Sequence, residues 1–154
     1  MKLRSAGILL YRFHGDELQV LLVHPGGPFW VNKEDGAWSL PKGLYDDTEE
    51  PLDAAKREFR EETGYDIAGD FVDLGEIKQP SKKLIHAWAV EGGLDANQIS
   101  SNTFSMEWPK GSGKHQQFPE VDRGAWFDLD TARTKINKGQ AQFLDRLVAL
   151  LNSH

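Results

Sequence analysis

The chain has 154 residues, 39% of them hydrophobic and 27% charged, a formal net charge of −6 and no cysteine. That length and balance suit one domain with a sizeable core, spanning 1–154, and the missing thiols exclude a disulfide framework and thiolate chemistry. A net negative surface argues against non-specific binding to a nucleic acid polymer, and an anionic substrate would then need a cation to bridge it to an acidic site.

In chain order, the Met1–Arg4 and Ser5–Leu10 start superficially resembles a secretory leader, but the apolar run is short and Arg12 interrupts it. No window reaches the apolar length of a membrane span, so a cytoplasmic protein without a membrane partner is expected. Ser5 to Phe13 reads as a buried strand, His14-Gly15-Asp16 as a turn, and Leu18 to Val23 as a second strand. Pro25 to Gly36 is a loop carrying Phe29 and Trp30, aromatics that either stack on a nucleobase or cover a sheet edge. Trp38 to Lys42 leads into Gly43, where Pro41 ends any strand and glycine admits close approach of a ligand.

The stretch from Gly43 to Tyr65 organises the rest. Asp46, Asp47 and Thr48 offer caps, Pro51 suits a first helical turn and Gly64 supplies the stop. Leu52, Ala55 and Phe59 form an apolar stripe. Beside it Glu58, Glu61 and Glu62 stand at i, i+3 and i+4. Like charges so spaced cost an isolated helix roughly 0.2–0.5 kcal/mol per pair. Clustered carboxylates suit a hard divalent ion such as Mg²⁺ or Mn²⁺, which would turn repulsion into coordination.

Further on, Phe71 to Gln79 and Leu84 to Val90 predict two strands, joined by a turn at Pro80 to Lys83. Thr103 to Trp108 predicts a strand, Pro109 to Gly113 a glycine-rich loop, and Gln116 to Asp122 an irregular segment. Ala125 to Phe127 reads as a short strand, Thr131 to Ile136 as a helical turn, and Gly139 to Leu151 as an amphipathic helix. The pattern is α+β.

Gly43, Glu49, Arg57, Glu58, Phe59, Glu61, Glu62, Gly64 and Tyr65 together resemble the signature of the Nudix hydrolases, with Tyr65 aromatic where an aliphatic residue is usual. The resemblance implies that family's α/β/α sandwich with a mixed sheet. It implies metal-dependent hydrolysis of a diphosphate linkage in a nucleotide small molecule, here a diadenosine polyphosphate or a nucleoside triphosphate. ADP-ribose or a nucleotide sugar is the alternative, with Pro80 lying fifteen residues beyond Tyr65. Carried over by position, Glu58, Glu61, Glu62 and the Gly43 carbonyl are the metal ligands, Glu58 and Glu61 serve catalysis, and Arg57 orients a glutamate. Glu49 is a structural partner. Glu120, ahead of Trp126, is the further catalytic glutamate from a loop. Lys42, Phe29 and Trp30 are the substrate-binding candidates, while Lys82 and Lys83 are either phosphate contacts or solvated lysines. His24 and His86 read as packing or surface histidines, and His115 can reach phosphate if its loop closes. A catalytically silent nucleotide-binding module would have lost an acid of this signature, and none is lost.

Overall fold

The computed structural model describes residues 4–153. Eight strands run β1 (Arg4–His14), β2 (Glu17–Pro25), β3 (Lys42–Leu44), β4 (Val72–Lys78), β5 (Leu84–Glu91), β6 (Thr103–Glu107), β7 (His115–Pro119) and β8 (Val121–Asp128). Among the described residues three α-helices, α1 (Pro51–Thr63), α2 (Leu129–Lys135) and α3 (Ala141–Asn152), and two short 3-10 turns, Ala96–Gln98 and Lys138–Gln140, accompany them. The main sheet has the order β4-β5-β1-β2-β8, with β3 also on β1, and β6 and β7 form a separate hairpin. β1 runs parallel to β5 and antiparallel to β2 and β3, so the sheet is mixed.

Alternation along the central strands builds two cores. Ile8 and Leu10 of β1 and Leu21 of β2 face α1, where they meet Ala54, Ala55 and Phe59. Leu9, Val20 and Leu22 point to the opposite face and pack on Ile136, Phe143, Leu144 and Leu147. Side chains that alternate across a strand and are apolar on both faces demand cover on both, which gives the α/β/α sandwich. Burying a side chain the size of Phe59 or Phe143 contributes about 1.5–3 kcal/mol.

Within that frame one local feature makes the site. β1 pairs with β2 only through its last residues, Tyr11 to His14. Its first half pairs with β3 instead, Ser5 opposite Leu44 and Gly7 opposite Lys42. The segment from Ser39 to Leu44 fills the resulting split. Ser39 exchanges backbone bonds with Val23 of β2 (2.8 and 3.0 Å), and Ile8 of β1 donates to the Pro41 carbonyl (3.1 Å). Gln140 then locks the segment from below, its Oε1 accepting from the Leu40 amide at 3.1 Å and its Nε2 donating to Ser39 Oγ at 3.0 Å.

Two expectations need correction. None of Asp46, Asp47 or Thr48 caps α1: the helix begins at Pro51 after Glu50, which makes no side-chain cap bond. Asp46 spends its carboxylate one turn earlier, accepting from the Thr48 amide at 2.9 Å. The stretch from Gln116 to Asp122 is also not irregular. It supplies most of β7 and the start of β8, with Met106 opposite Gln116 and Phe104 opposite Phe118. Its polar residues hid a ladder that rests on backbone pairing and one aromatic contact, with centroids 6.0 Å apart. The other predicted elements occur with shifted ends; α2 starts earlier than expected because Asp128 accepts from the Thr131 amide at 2.7 Å. Gly64 ends α1 as expected, at φ 80°, in the left-handed region.

Candidate active site

The acidic face of α1 is built around Arg57. Its Nε and Nη2 donate to the two oxygens of Glu49, each at 2.8 Å, a bidentate fork. Its Nη1 donates to Glu58 Oε1 at 2.8 Å and to Glu61 Oε2 at 3.1 Å. One guanidinium therefore gathers three carboxylates, and those bonds, Glu49 first, hold it charged above its ordinary range. The fork falls on Glu49 and not on one of the expected metal ligands, so Glu49 anchors the arginine that positions Glu58 and Glu61.

Glu58 is buried, 8% exposed. Burial pushes its carboxyl above the ordinary range, Arg57 opposes this, and Glu61 adds repulsion. Gly43 lies against it. A Cβ at Gly43 would fall 1.9 Å from Glu58 Oε2 and 2.1 Å from its Cδ. No residue with a side chain fits there without displacing that carboxylate, which explains the glycine by close approach.

Glu62 faces the other way, toward β3, where its Oε1 accepts from the Lys42 amide at 3.2 Å. Burial pushes its carboxyl up to about 8, against the pull of the Lys42 charge. Burial lowers Lys42 in turn, while Glu62 resists. Glu120 arrives from the corner between β7 and β8; burial and the Glu61 charge raise its carboxyl as well. Glu58, Glu61, Glu62 and Glu120 thus repel one another across one small region. Among the described residues no three His, Asp or Glu side chains converge as they stand on one ion position. Glu58 and Glu61 are turned toward Arg57.

Beside the acids, where β1 and β2 diverge, lies a cleft of about 320 Å³. Lys42, Glu62, Lys83, Glu120 and Trp30 all line it. Gly43, Arg57, Glu58 and Glu61 lie beside the cleft and not on its wall, and Phe29 and His115 fall outside it as well. Phe29 packs edge-on against Trp108, centroids 5.6 Å apart, and is absent from the cleft wall. His115 pairs with Glu107 in the hairpin. Lys83 joins the cleft, whereas Lys82 is exposed on the turn, its amide donating to the Gln79 carbonyl at 2.8 Å.

Sequence reasoning missed Gln79, Asn137 and Gln140, the further polar residues of the wall besides Ser39. They come from the β4–β5 turn and the α2–α3 connection, and no spacing signal joins those segments to the acidic helix. His24 is fully buried, as a packing histidine should be, with Nδ1 2.9 Å from Asp122 Oδ1 and Nε2 2.6 Å from the Lys33 carbonyl oxygen. His86 stacks on Trp88 and contacts Asp73 at 2.7 Å.

Among the described residues no helix is long and apolar enough to cross a membrane. Comparison with known proteins agrees with the geometry. The NUDIX domain family matches residues 1–147. An RNA pyrophosphohydrolase of Bartonella henselae is 38% identical over 149 residues, covering 83% of this chain and 77% of the relative. Among solved structures, the NUDIX domain of Shewanella oneidensis NrtR complexed with ADP ribose aligns with a TM-score of 0.67 at 19% identity, over 98% of this chain and 89% of that one. A C. elegans Ap4A hydrolase binary complex aligns at 0.65 with 20% identity, over 97% and 99%. The structural likenesses carry the fold; the family match and the closer relative carry the rest, and the chain belongs to the Nudix hydrolases.

Proposed function

We propose that this pyrophosphohydrolase, its residues 1–154 acting as one domain, cleaves a phosphoanhydride bond in a nucleoside polyphosphate held in the cleft beside α1. A dinucleoside polyphosphate such as diadenosine tetraphosphate is the preferred substrate. The observation that carries the reading is the apposition of two lysines, Lys42 and Lys83, with Glu62 and Glu120 in one cleft that Trp30 also lines. Phosphate oxygens suit the lysines, and a base suits the indole.

A divalent cation, Mg²⁺ or Mn²⁺, fits the donor chemistry. Every candidate ligand is oxygen, and three of the carboxyls lie above their ordinary range because burial, and then like charge, opposes ionisation. Glu58, Glu61, Glu62 and the Gly43 carbonyl would hold it. Bound there, it would neutralise phosphate charge and make water a better nucleophile. The chain's own residues do the remainder. Arg57 positions Glu58 and Glu61 but touches no reacting atom. Glu120 takes the proton from the attacking water, since a carboxylate raised above its ordinary range is the stronger base near neutral pH. Lys42 and Lys83 fix the phosphate chain.

The 38% identity to an RNA pyrophosphohydrolase favours a second reading, in which the polyphosphate is the 5′ end of an RNA. The net charge of −6 does not oppose it, because recognition of an end needs the cleft and no long basic track. An ADP-ribose substrate has weaker support, a structural likeness at 19% identity and a single proline. A cytoplasmic setting belongs to the same proposal, and cell fractionation tests it. Rates on diadenosine tetraphosphate, ATP, a 5′-triphosphorylated RNA and ADP-ribose, each with Mg²⁺ and Mn²⁺, test the substrate choice. Faster turnover of ADP-ribose than of any polyphosphate overturns it.

A further inference from the structure

A ridge of aromatic rings leaves the cleft at Trp30. The loop after β2 exposes three large apolar side chains in succession, Phe29 at 59%, Trp30 at 39% and Val31 at 59%. It is held on the β6–β7 side by the Gly26 amide, which donates to the Glu120 carbonyl at 3.0 Å. Turn bonds fix its course, Trp30 to the Gly27 carbonyl at 3.3 Å and Lys33 to the Trp30 carbonyl at 3.0 Å. Phe29 lies edge-on to Trp108, interplanar angle 80°, so the two rings meet at nearly a right angle. Trp108 is itself anchored at the end of the hairpin. Its amide donates to the Lys114 carbonyl at 2.9 Å, and its carbonyl accepts from Gln116 Nε2 at 2.9 Å.

Consecutive exposed aromatics on a pinned loop mark an interaction surface. Its shape and charge select the occupant. This ridge begins at Trp30, a residue of the cleft wall, so a ligand held in the cleft can extend onto it. Lys33 Nζ sits 5.4 Å over the Trp30 ring, and exposed Lys110 and Lys114 follow Trp108 on the turn that closes the hairpin. Aromatic rings set among cations are the chemistry of base stacking beside a phosphate backbone.

We propose that the Phe29–Trp108 pair is a second base-stacking site, taking the nucleobase beyond the one that Trp30 receives in the cleft. It rests on the nucleoside polyphosphate reading and deepens it by requiring a substrate with two bases. Diadenosine tetraphosphate and the 5′ end of an RNA share that chemistry and differ in what links the bases.

The test compares Phe29→Leu and Trp108→Leu, which keep apolar bulk and lose the ring, with wild type. KM, and Kd by calorimetry, are measured for ATP, diadenosine tetraphosphate and a 5′-triphosphorylated dinucleotide. The ratio of the two-base value to the ATP value should rise about tenfold in each variant, the size of one lost stack, with kcat held. A rise confined to one two-base probe identifies the linkage. An unchanged ratio overturns the site, as does an equal loss on ATP, which would assign the pair to packing. Because Kd needs no turnover, failure to hydrolyse any probe would sink the functional reading while the Kd ratio still decides the ridge.

Discussion

Gly43→Ala isolates one contact and gives opposite answers for stability and activity. The added methyl would sit 1.9 Å from Glu58 Oε2, 2.1 Å from Cδ and 2.6 Å from Oε1, far inside contact distance. Overpacking of this kind costs about 1–3 kcal/mol. Here the struck group is the end of a flexible side chain, so the carboxylate can retreat and the cost should fall at the low end. About 1 kcal/mol in a chain of this size lowers Tm by roughly 2–4 °C. Activity should suffer far more. A retreat of an ångström or more pulls Glu58 off Arg57 Nη1, now at 2.8 Å, and out of the ligand set. Displacements of that order cost about 100-fold in rate. Differential scanning calorimetry beside Mg²⁺-dependent hydrolysis of diadenosine tetraphosphate reads both. A variant that turns over within about threefold of wild type would refute the placement of Glu58 at the reaction centre.

Arg57→Lys keeps the charge but cannot make the fork to Glu49 and hold Glu58 and Glu61 together. Its kcat should drop at least tenfold with near-normal melting, and an unaltered kcat would remove Arg57 from the positioning role. Glu62 predicts a pH signature: its folded carboxyl is raised from 4.5 to about 8, so the folded form favours the proton. Its stabilising contribution is complete below pH ~4.5 and lost as pH rises toward about 8. Melting of metal-free protein across that window should therefore fall more steeply for wild type than for Glu62→Gln, and parallel curves would contradict the burial of that carboxyl. Mg²⁺ should raise Tm by mass action, with a smaller rise in Glu61→Gln; identical curves with and without the ion would count against the site. Trp30→Ala should raise KM about tenfold with kcat nearly kept, and an unchanged KM would leave Trp30 as cover for the cleft wall.

The layers were legible because their signals are local. Alternation along β1 and β2 and the Leu52, Ala55, Phe59 stripe each belong to one contiguous segment, and Gly64 stops α1 where its conformational freedom allows. So too was the Glu58, Glu61, Glu62 group, whose residues lie within one helix. The cap of α1 was misread because Asp46 had two local uses, and the turn at Thr48 took it. The β7 ladder was missed because Gln116 and Gln117 are exposed and carry no apolar period. The far wall of the cleft was beyond reach for another reason. Gln79, Asn137 and Gln140 meet Lys42 only once β1 has parted from β2 and the segment from Ser39 to Leu44 has filled the gap. That event is set by long-range pairing. Likewise, nothing in spacing separates Phe29 from Trp30; the approach of Trp108 does.

Phosphate release from diadenosine tetraphosphate, followed for wild type and Glu61→Gln with Mg²⁺ and then with excess EDTA, tests the centre of this account. Wild type should turn over only with the metal, and Glu61→Gln should lose orders of magnitude in kcat while melting as a folded protein. Wild-type turnover that survives EDTA, or full activity in Glu61→Gln, would contradict a metal-dependent site on the glutamate face of α1.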